Sequence, residues 1–116
     1  MRVMITGSRL WTNREVIQKE LDKLPRDCII VHGGARGADT LAGNVAASLG
    51  LSVEVHIPDW RKNGRAAGIL RNNVMLDSDI DLVLAFRVND SKGTTHAING
   101  ARTRDIPYIL NEDNYR

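Results

Sequence analysis

The chain has 116 residues, a formal net charge of +2, 42% hydrophobic residues and 26% charged residues. This length fits one domain, 1–116, and the composition excludes a disordered or fibrous protein. No apolar run approaches the ~18 residues that span a bilayer, and the first apolar segment is too short for a signal-peptide core. We therefore expect a cytoplasmic protein that does not bind membranes.

Apolar runs rich in β-branched residues alternate with helical patterns along the whole chain. The predicted strands are Val3–Thr6, Cys28–His32, Val53–Ile57, Leu82–Phe86 and Tyr108–Leu110. The first helix is predicted to open at Thr12, where Glu15 completes a capping box, and to stop at Pro25. The second has apolar residues at helical spacing over 38–49, followed by Gly50 at its C-cap. The others are predicted over about 67–77 and 95–104.

This alternation predicts crossover connections and a parallel sheet. With right-handed crossovers, the compact arrangement is an α/β, Rossmann-like, open doubly wound sheet of five strands, with helices on both faces. We predict the strand order 3-2-1-4-5. The switch point then lies between the first and fourth strands, and ligands bind there at the carboxyl ends of the strands.

A glycine-rich stretch follows the second predicted strand and leads into the second helix. Glycines let backbone N–H groups approach a ligand, and a helix N-terminus attracts anions. An arginine in the loop adds a planar fork for phosphate, and a carboxylate in the first helical turn can accept ribose hydroxyls or offset the helix dipole. The candidate ligand-binding residues of this stretch are Gly33, Gly34, Arg36, Gly37 and Asp39.

Two further loops flank the predicted switch point. After the first strand, Gly7 and Ser8 permit close ligand approach and Arg9 can hold a phosphate; a tight turn with a solvated arginine is the alternative. After the fourth strand, hydroxyls and a glycine open a helix in a manner that suits an oxyanion. The candidates there are Gly93, Thr94 and Thr95, with ordinary N-capping by either threonine as a compatible alternative.

The loops at this edge also concentrate positive charge. Eight of the sixteen basic residues lie there: Arg9, Arg36, Arg61, Lys62, Arg65, Arg71, Arg87 and Lys92. The acids predicted at the same edge are Asp39, Asp59 and Asp90. Trp60 lies among the basic residues and can stack on a nucleobase or, equally, cover the core or an interface. The edge is therefore predicted to be positive although the net charge is small.

Several other chemistries lack their residues in this chain. Cys28, the single cysteine, lies in an apolar strand and is interpreted as a packing residue. His32, His56 and His96 have no carboxylate or cysteine spacing that completes a metal set. Walker, dinucleotide-fingerprint, nucleophile-elbow and zinc-protease motifs are absent from the sequence. We expect no metal and no cofactor.

The stretch Gly33–Asp39 resembles the glycine-rich signature of the SLOG superfamily, and the chain resembles the YspA/cpYpsA-related branch found in bacteriophages and bacteria. The other segments that carry the resemblance are Gly7–Arg9, Asp59–Trp60, Gly64–Gly68, Arg71–Met75, Asp81–Phe86 and Gly93–Thr95. The superfamily includes the Smf/DprA DNA-processing proteins and the Lonely guy phosphoribohydrolases. The resemblance implies a Rossmann-like domain, often a homo-oligomer such as a dimer, that recognises nucleotides or nucleotide-derived signals.

Enzymatic members of the superfamily cleave the N-glycosidic bond of nucleoside 5′-monophosphates. Their first motif is matched by Arg71 and Met75, while Asn72 replaces its lysine. The catalytic glutamate of their second motif falls on Ala97, which cannot stabilise an oxocarbenium-like state or activate water. The catalytic residues are therefore unknown, and whether the chain is an enzyme is left open.

The leading interpretation is a domain that binds a nucleotide or nucleotide-derived phosphorylated ligand as a sensor or sequestering protein. One alternative is a nucleotide N-glycosidase with a relocated acid such as Asp39. The other is single-stranded DNA binding, which the small net charge and scarce aromatics disfavour.

Overall fold

Five parallel strands form one sheet in the order β3-β2-β1-β4-β5 in the computed structural model, which describes residues 1–113. The strands are β1 (Arg2–Gly7), β2 (Ile29–His32), β3 (Ser52–Val55), β4 (Leu82–Val88) and β5 (Tyr108–Asp113). The central strand β1 pairs in register with β2 on one side and β4 on the other. The predicted α/β fold and strand order are confirmed.

Helices connect the strands and cover both faces of the sheet. They are α1 (Arg14–Asp22), α2 (Ala38–Ser48), α3 (Trp60–Asn63), α4 (Ala67–Leu76) and α5 (Lys92–Thr103), with a 3₁₀ turn over Gly64–Ala66 between α3 and α4. Because alternate residues of a strand point to opposite faces, β1 contributes to two cores. Val3 and Ile5 pack with α1 and α2, whereas Met4 packs with α4 and α5.

The start of α1 differs from the prediction. Thr12 does not cap the helix; Asn13 does, and its side chain accepts a hydrogen bond from the N–H of Val16 at 3.3 Å. The Trp11 indole fixes this turn because it is buried against Phe86 and donates to the Asn13 carbonyl oxygen at 2.9 Å. The capping-box prediction was wrong by one residue because asparagine, a better N-cap than threonine, follows Thr12.

Two helical boundaries near the ligand edge also differ. The predicted fourth helix was expected to begin at Thr95, but α5 begins at Lys92, after Ser91 as N-cap. The Thr95 N–H donates to the Ser91 carbonyl oxygen at 3.0 Å, a helical bond that places Gly93 and Thr94 in the first turn. The short α3 was not predicted at all; its start is capped by the Asp59 carboxylate, which accepts from the Lys62 N–H.

Other local expectations agree with the structure or need small changes. Gly50 has φ +75° after α2, which is the left-handed conformation expected of a helix-terminating glycine. Cys28 is buried, and burial raises the pKa of its thiol. The strand predicted to reach Ile57 ends at Val55, opposite the last residue of β2. The last strand extends beyond Leu110 to Asp113 because β4 provides partners as far as Val88.

Candidate functional site

A cavity of about 430 Å³ opens at the carboxyl edge of the sheet. It lies where the loops after β1 and β4 diverge to opposite faces, as expected of a switch point. The loops after β1, β2 and β4, the α3–α4 region and the start of α5 contribute its walls. The polar and glycine residues that line it include Thr6, Gly7, Ser8, Arg9, Asp39, Arg65, Gly68, Arg71, Asn72, Asp90, Ser91, Gly93 and Thr94.

The loop after β1 is held tightly against β4. The hydroxyl of Ser8 is buried and accepts a hydrogen bond from the N–H of Val88 at 2.8 Å. A side chain at Gly7 would lie 2.7 Å from the Phe86 carbonyl oxygen, which is closer than real contacts allow. Packing therefore explains the small residues at both positions, while the exposed Arg9 side chain lines the cavity.

The glycine-rich loop after β2 is organised by the protein's own carboxylate. Oδ2 of Asp39 accepts hydrogen bonds from the N–H groups of Gly33 at 3.1 Å and Ala35 at 3.3 Å. The N–H of Gly34 donates to Nδ1 of His32 at 2.9 Å. The N–H groups of these three loop residues are thus already paired within the protein, and Asp39 occupies the position that an anion takes in such a loop.

The remaining residues of this loop pack against other parts of the protein or face solvent. Gly37 has φ +75°, and a side chain there would lie 2.5 Å from the Arg9 carbonyl oxygen. Gly34 has φ +72° and packs under Ile57. Arg36 is exposed and does not line the cavity. In this conformation only Ala35 and Asp39 of the stretch Gly33–Asp39 line the cavity, and the other residues of the stretch lie behind its wall or face solvent.

Arg71 on α4 reaches across to the same loop. Its Nη1 donates to the Gly33 carbonyl oxygen at 2.6 Å, and its Nε donates to Oδ1 of Asn72 at 3.1 Å. The absence of a side chain at Gly33 makes room for this guanidinium. Burial lowers the pKa of Arg71, and the charge of Asp39 opposes that effect.

Asp39 is buried in this cationic surrounding. Burial raises its pKa to about 6, although the two loop N–H groups and the charge of Arg71 favour the ionised form. Asp39 and Arg71 do not form an ion pair, because no oxygen of Asp39 lies within 4.0 Å of a nitrogen of Arg71. Their charges attract each other over a longer distance. A carboxylate with such a pKa changes protonation near neutral pH.

The first turn of α5 forms the wall opposite the glycine-rich loop. Asn72 is buried and its amide donates to the Gly93 carbonyl oxygen at 3.4 Å, which ties α4 to α5. Thr94 is buried and its hydroxyl lies 3.0 Å from that of Ser91. A side chain at Gly93 would meet nothing within 4 Å, so this turn is open on that side. Thr95 points elsewhere and accepts from Arg87 at 3.1 Å.

Trp60 and Arg65 stand at the rim of the cavity, where the side chain of Trp60 is 50% exposed. Its indole lies over the backbone of α4, since a side chain built at Gly68 would come 3.7 Å from the ring. The rim thus offers an aromatic surface beside a guanidinium.

The charge at this edge is more mixed than the sequence predicts. The longer β5 brings Glu112 to the same edge, where it pairs with Arg87 at 3.1 Å. The cations that line the cavity are Arg9, Arg65 and Arg71, and the acids are Asp39 and Asp90. Of the eight cations named at this edge, three therefore line the cavity, and Arg87 is paired with Glu112.

Comparison with known proteins identifies a family and a relative for this chain. Residues 1–63 match the YspA, cpYpsA-related SLOG family. The chain belongs to this family. The Gene 61 protein of Mycobacterium phage D29 is 41% identical over 117 residues, which cover 93% of this chain and 94% of that protein.

The X-ray structure of DNA processing protein A (DprA) from Streptococcus pneumoniae is similar, with a TM-score of 0.63 and 15% identity. The match covers 93% of this SLOG chain but only 58% of the DprA chain. At this identity the likeness establishes a shared fold. The recognition made from the sequence, including the branch of the family, is confirmed.

The cavity of the SLOG domain gathers most of the candidate residues. Those that line it are Gly7, Ser8, Arg9, Asp39, Trp60, Arg71, Asn72, Gly93 and Thr94. Those outside its lining are Gly33, Gly34, Arg36, Gly37 and Thr95. The sequence placed Arg65 and Asp90 at this edge as charged residues but did not predict them to bind the ligand. It also gave no binding role to the apolar residues that line the cavity, which are Ile5, Leu10, Ile69, Met75 and Val88.

Ala97, at the position of the superfamily's catalytic glutamate, is fully buried in the apolar cluster between the sheet and α4–α5. It is not among the residues that line the cavity. Among residues 1–113, no group of three or more His, Cys, Asp or Glu side chains is placed to hold a metal ion. No helix in that part of the chain has the length and apolar character needed to cross a membrane.

Proposed function

We propose that this SLOG domain binds a nucleotide or nucleotide-derived phosphorylated ligand in the switch-point cavity, as a sensor or sequestering protein in the cytoplasm. The observation that carries the proposal is the cavity itself. It places Arg9, Arg65 and Arg71 around a space of about 430 Å³ at the edge where such folds bind ligands. Membership of the SLOG family supports the same nucleotide-related role.

The phosphate end of the ligand is assigned to the side of the cavity formed by Arg9, Arg71 and the first turn of α5. Guanidinium groups bind phosphate through paired N–H donors, and the helix N-terminus adds a favourable dipole. The open space beside Gly93 permits close approach to that turn. The half-exposed indole of Trp60 is assigned to the base, because aromatic faces stack on nucleobases at about 1–3 kcal/mol each.

Binding without cleavage is favoured because an alanine stands at the position of the superfamily's catalytic glutamate. Ala97 lies in the apolar cluster, and the acids that line the cavity are Asp39, which holds the glycine-rich loop, and Asp90. Glycosidic cleavage needs a carboxylate at the sugar to stabilise positive charge or activate water. We therefore propose that the ligand leaves intact.

The decisive experiment is a thermal-shift screen with nucleoside mono-, di- and triphosphates, cyclic nucleotides and ADP-ribose derivatives, followed by chromatography of each mixture. A ligand at a hundred times its dissociation constant stabilises by about 2.7 kcal/mol, or very roughly 10 °C for a domain of this size. A shift with intact ligand supports the proposal. Release of free base makes the protein a glycosidase, and a shift only with oligonucleotides makes it a single-strand-binding protein.

A homo-oligomer, most simply a dimer, completes the proposal. The α4 patch, which we define as Ile57, Leu70 and Val74, exposes large apolar side chains at 70%, 44% and 58%. These residues surround one hollow beside α4 together with Pro58. Exposed apolar clusters of this kind mark protein interfaces more often than isolated apolar residues do. Light scattering coupled to gel filtration measures the oligomeric state directly.

A further inference from the structure

The strand β3 lies at one edge of the sheet and has β2 as its neighbour on one side. The N–H of His56, one residue after β3, donates to the His32 carbonyl oxygen at 2.8 Å and so extends the pairing with β2. Because the backbone groups of successive strand residues point alternately to the two sides, those of Val53 and Val55 point away from β2. Among residues 1–113 no strand pairs with that side of β3. Unpaired backbone groups of this kind are a template for another strand.

The side chains of this edge leave apolar surface uncovered. Val53 pairs with Ile30 in the register and therefore lies on the face that α1 and α2 cover. Val55, two residues later, lies on the same face. The two valines are 38% and 47% exposed, and Ile57 continues the row at 70%. Native edge strands are usually protected by charged residues, proline or a bulge, whereas a row of exposed apolar residues is typical of an interface.

The opposite face of the same segment carries an acid and a histidine. Glu54 pairs with Val31 in the register and therefore lies on the face of α4. Its carboxylate accepts a hydrogen bond from Nη2 of Arg2 at 2.6 Å and lies 2.8 Å from Nε2 of His56. The edge therefore has apolar residues on one face and a complementary pair of polar residues on the other.

We propose that β3 of one copy pairs antiparallel with β3 of a second copy, about a twofold axis at Val55, so that the two sheets join into one. Val55 then lies opposite Val55 of the second copy, and Val53 lies opposite Ile57. Glu54 lies opposite His56, whose imidazole can donate to a carboxylate. An axis at Glu54 would instead place two carboxylates opposite each other, which is unfavourable. The inference rests on the homo-oligomer proposed above and specifies its interface.

The same pairing brings the two α4 patches together. Ile57, Leu70 and Val74 surround one hollow with His56, so α4 lies beside the end of β3. The twofold axis of an antiparallel pair of strands is perpendicular to the sheet and therefore keeps both α4 helices on the same side of it. The interface then consists of backbone hydrogen bonds along β3 with apolar side chains on both faces, in which the main chain provides affinity and the side chains provide specificity.

Cysteine cross-linking tests the register. Across the proposed axis, the Cα atoms of the two residues at position 55 lie about 5.5 Å apart, a distance that a disulfide can bridge. Val55→Cys should therefore form a covalent dimer with oxidised glutathione, as measured on a non-reducing gel. Val53→Cys is the matched control, because it changes another exposed valine of the same face whose counterpart would lie about 13 Å away along the strand. This variant should not cross-link, and neither should wild type, whose Cys28 is buried.

Val55→Lys tests the same interface without a covalent bond. Two ammonium groups would face each other across the axis, so light scattering should show a shift from dimer to monomer. Ile109→Lys, on the other edge strand, should keep the dimer.

A wild-type dimer in which Val55→Cys does not cross-link and Val55→Lys does not dissociate would overturn the β3 interface and leave the proposed oligomer standing. Cross-linking of Val53→Cys as readily as Val55→Cys would overturn the register. A wild-type monomer would overturn both the interface and the oligomer, and the thermal-shift screen would still decide nucleotide binding. Because the cross-link needs only a small side chain at position 55, poor folding of Val55→Lys does not prevent a decision.

Discussion

Replacing Gly37 by alanine tests how the loop after β2 is fixed against the loop after β1. Gly37 has φ +75° and ψ −123°, a conformation that residues with a side chain avoid. The added methyl group would also meet the Ser8 carbonyl oxygen and lie 2.5 Å from that of Arg9. Both oxygens belong to the backbone and cannot rotate away. Gly37→Ala therefore combines backbone strain with a steric conflict.

Gly64 provides the matched control because it shares only the first of these features. Its φ of +54° and ψ of −132° are close to those of Gly37, yet a side chain there would meet nothing within 4 Å. Backbone strain of this type costs on the order of 1–3 kcal/mol. Overpacking adds about 1–3 kcal/mol more. Gly64→Ala should lose the first amount, and Gly37→Ala should lose the sum, about 2–6 kcal/mol.

Urea unfolding of wild type and both variants measures these losses from the midpoint and slope of each transition. We expect Gly37→Ala to unfold at a clearly lower urea concentration than Gly64→Ala, with the difference set by the contacts to the loop after β1. Equal destabilisation of the two variants would refute the reasoning, because it would show that the contact with Ser8 and Arg9 has no energetic consequence. A stable Gly37→Ala would refute the assignment of strain as well.

Three further predictions concern Asp39, the cavity arginines and the α4 patch. The pKa of Asp39 is raised from 3.8 to about 6, so the folded state holds its proton more tightly than the unfolded state. The proton on Asp39 therefore contributes about 3 kcal/mol to the free energy of unfolding below pH 4, and this contribution is lost as the pH rises through about 6. Urea unfolding of wild type and Asp39→Asn over pH 3.5–7.5 measures it, because the difference between their stabilities should decline over this range. A difference that does not change with pH would contradict the prediction. Arg9→Ala and Arg71→Ala should each weaken nucleotide affinity more than tenfold, as measured by calorimetry. Arg26→Ala, at an exposed position paired with Asp22, should leave the affinity unchanged. Unchanged affinity in both cavity variants would rule out the assigned phosphate end. Val74→Glu should convert an oligomer to monomer in light scattering, whereas Ile109→Glu, on an apolar residue of β5 that is also exposed, should not. A dimer that survives Val74→Glu uses another surface.

The fold was predictable because its local signals agree with one another. The apolar runs of β1, β2 and β4 are buried on both faces, and helices of suitable length lie between them, which leaves few topologies for a parallel sheet. The switch point follows from the strand order, so the loops at Gly7–Arg9 and Gly93–Thr95 could be placed at one edge before any contact was known.

The arrangement within the site could not be predicted in the same way. Arg71 donates to the carbonyl oxygen of Gly33, a residue 38 positions earlier in the chain, and no periodicity encodes such a contact. The glycine-rich loop suggested free N–H donors, yet Asp39, which the sequence analysis considered as a partner for ribose, also holds the donors of Gly33 and Ala35. The boundary of α5 depended on whether Ser91 or a later threonine caps the helix, and all three residues have similar capping propensity.

The hydrogen bonds from Gly33 and Ala35 to Asp39 have a consequence for the thermodynamics of association. A loop that a ligand has to order loses about 1–2 kcal/mol of conformational entropy per residue when the ligand arrives. Here the Asp39 carboxylate already orders the glycine-rich loop when the protein folds. Ligand binding therefore does not have to order this loop, and its loss of conformational entropy does not weaken the affinity. The amide protons of Gly33 and Ala35 should exchange slowly with solvent in the ligand-free protein, as those of a rigid receptor do.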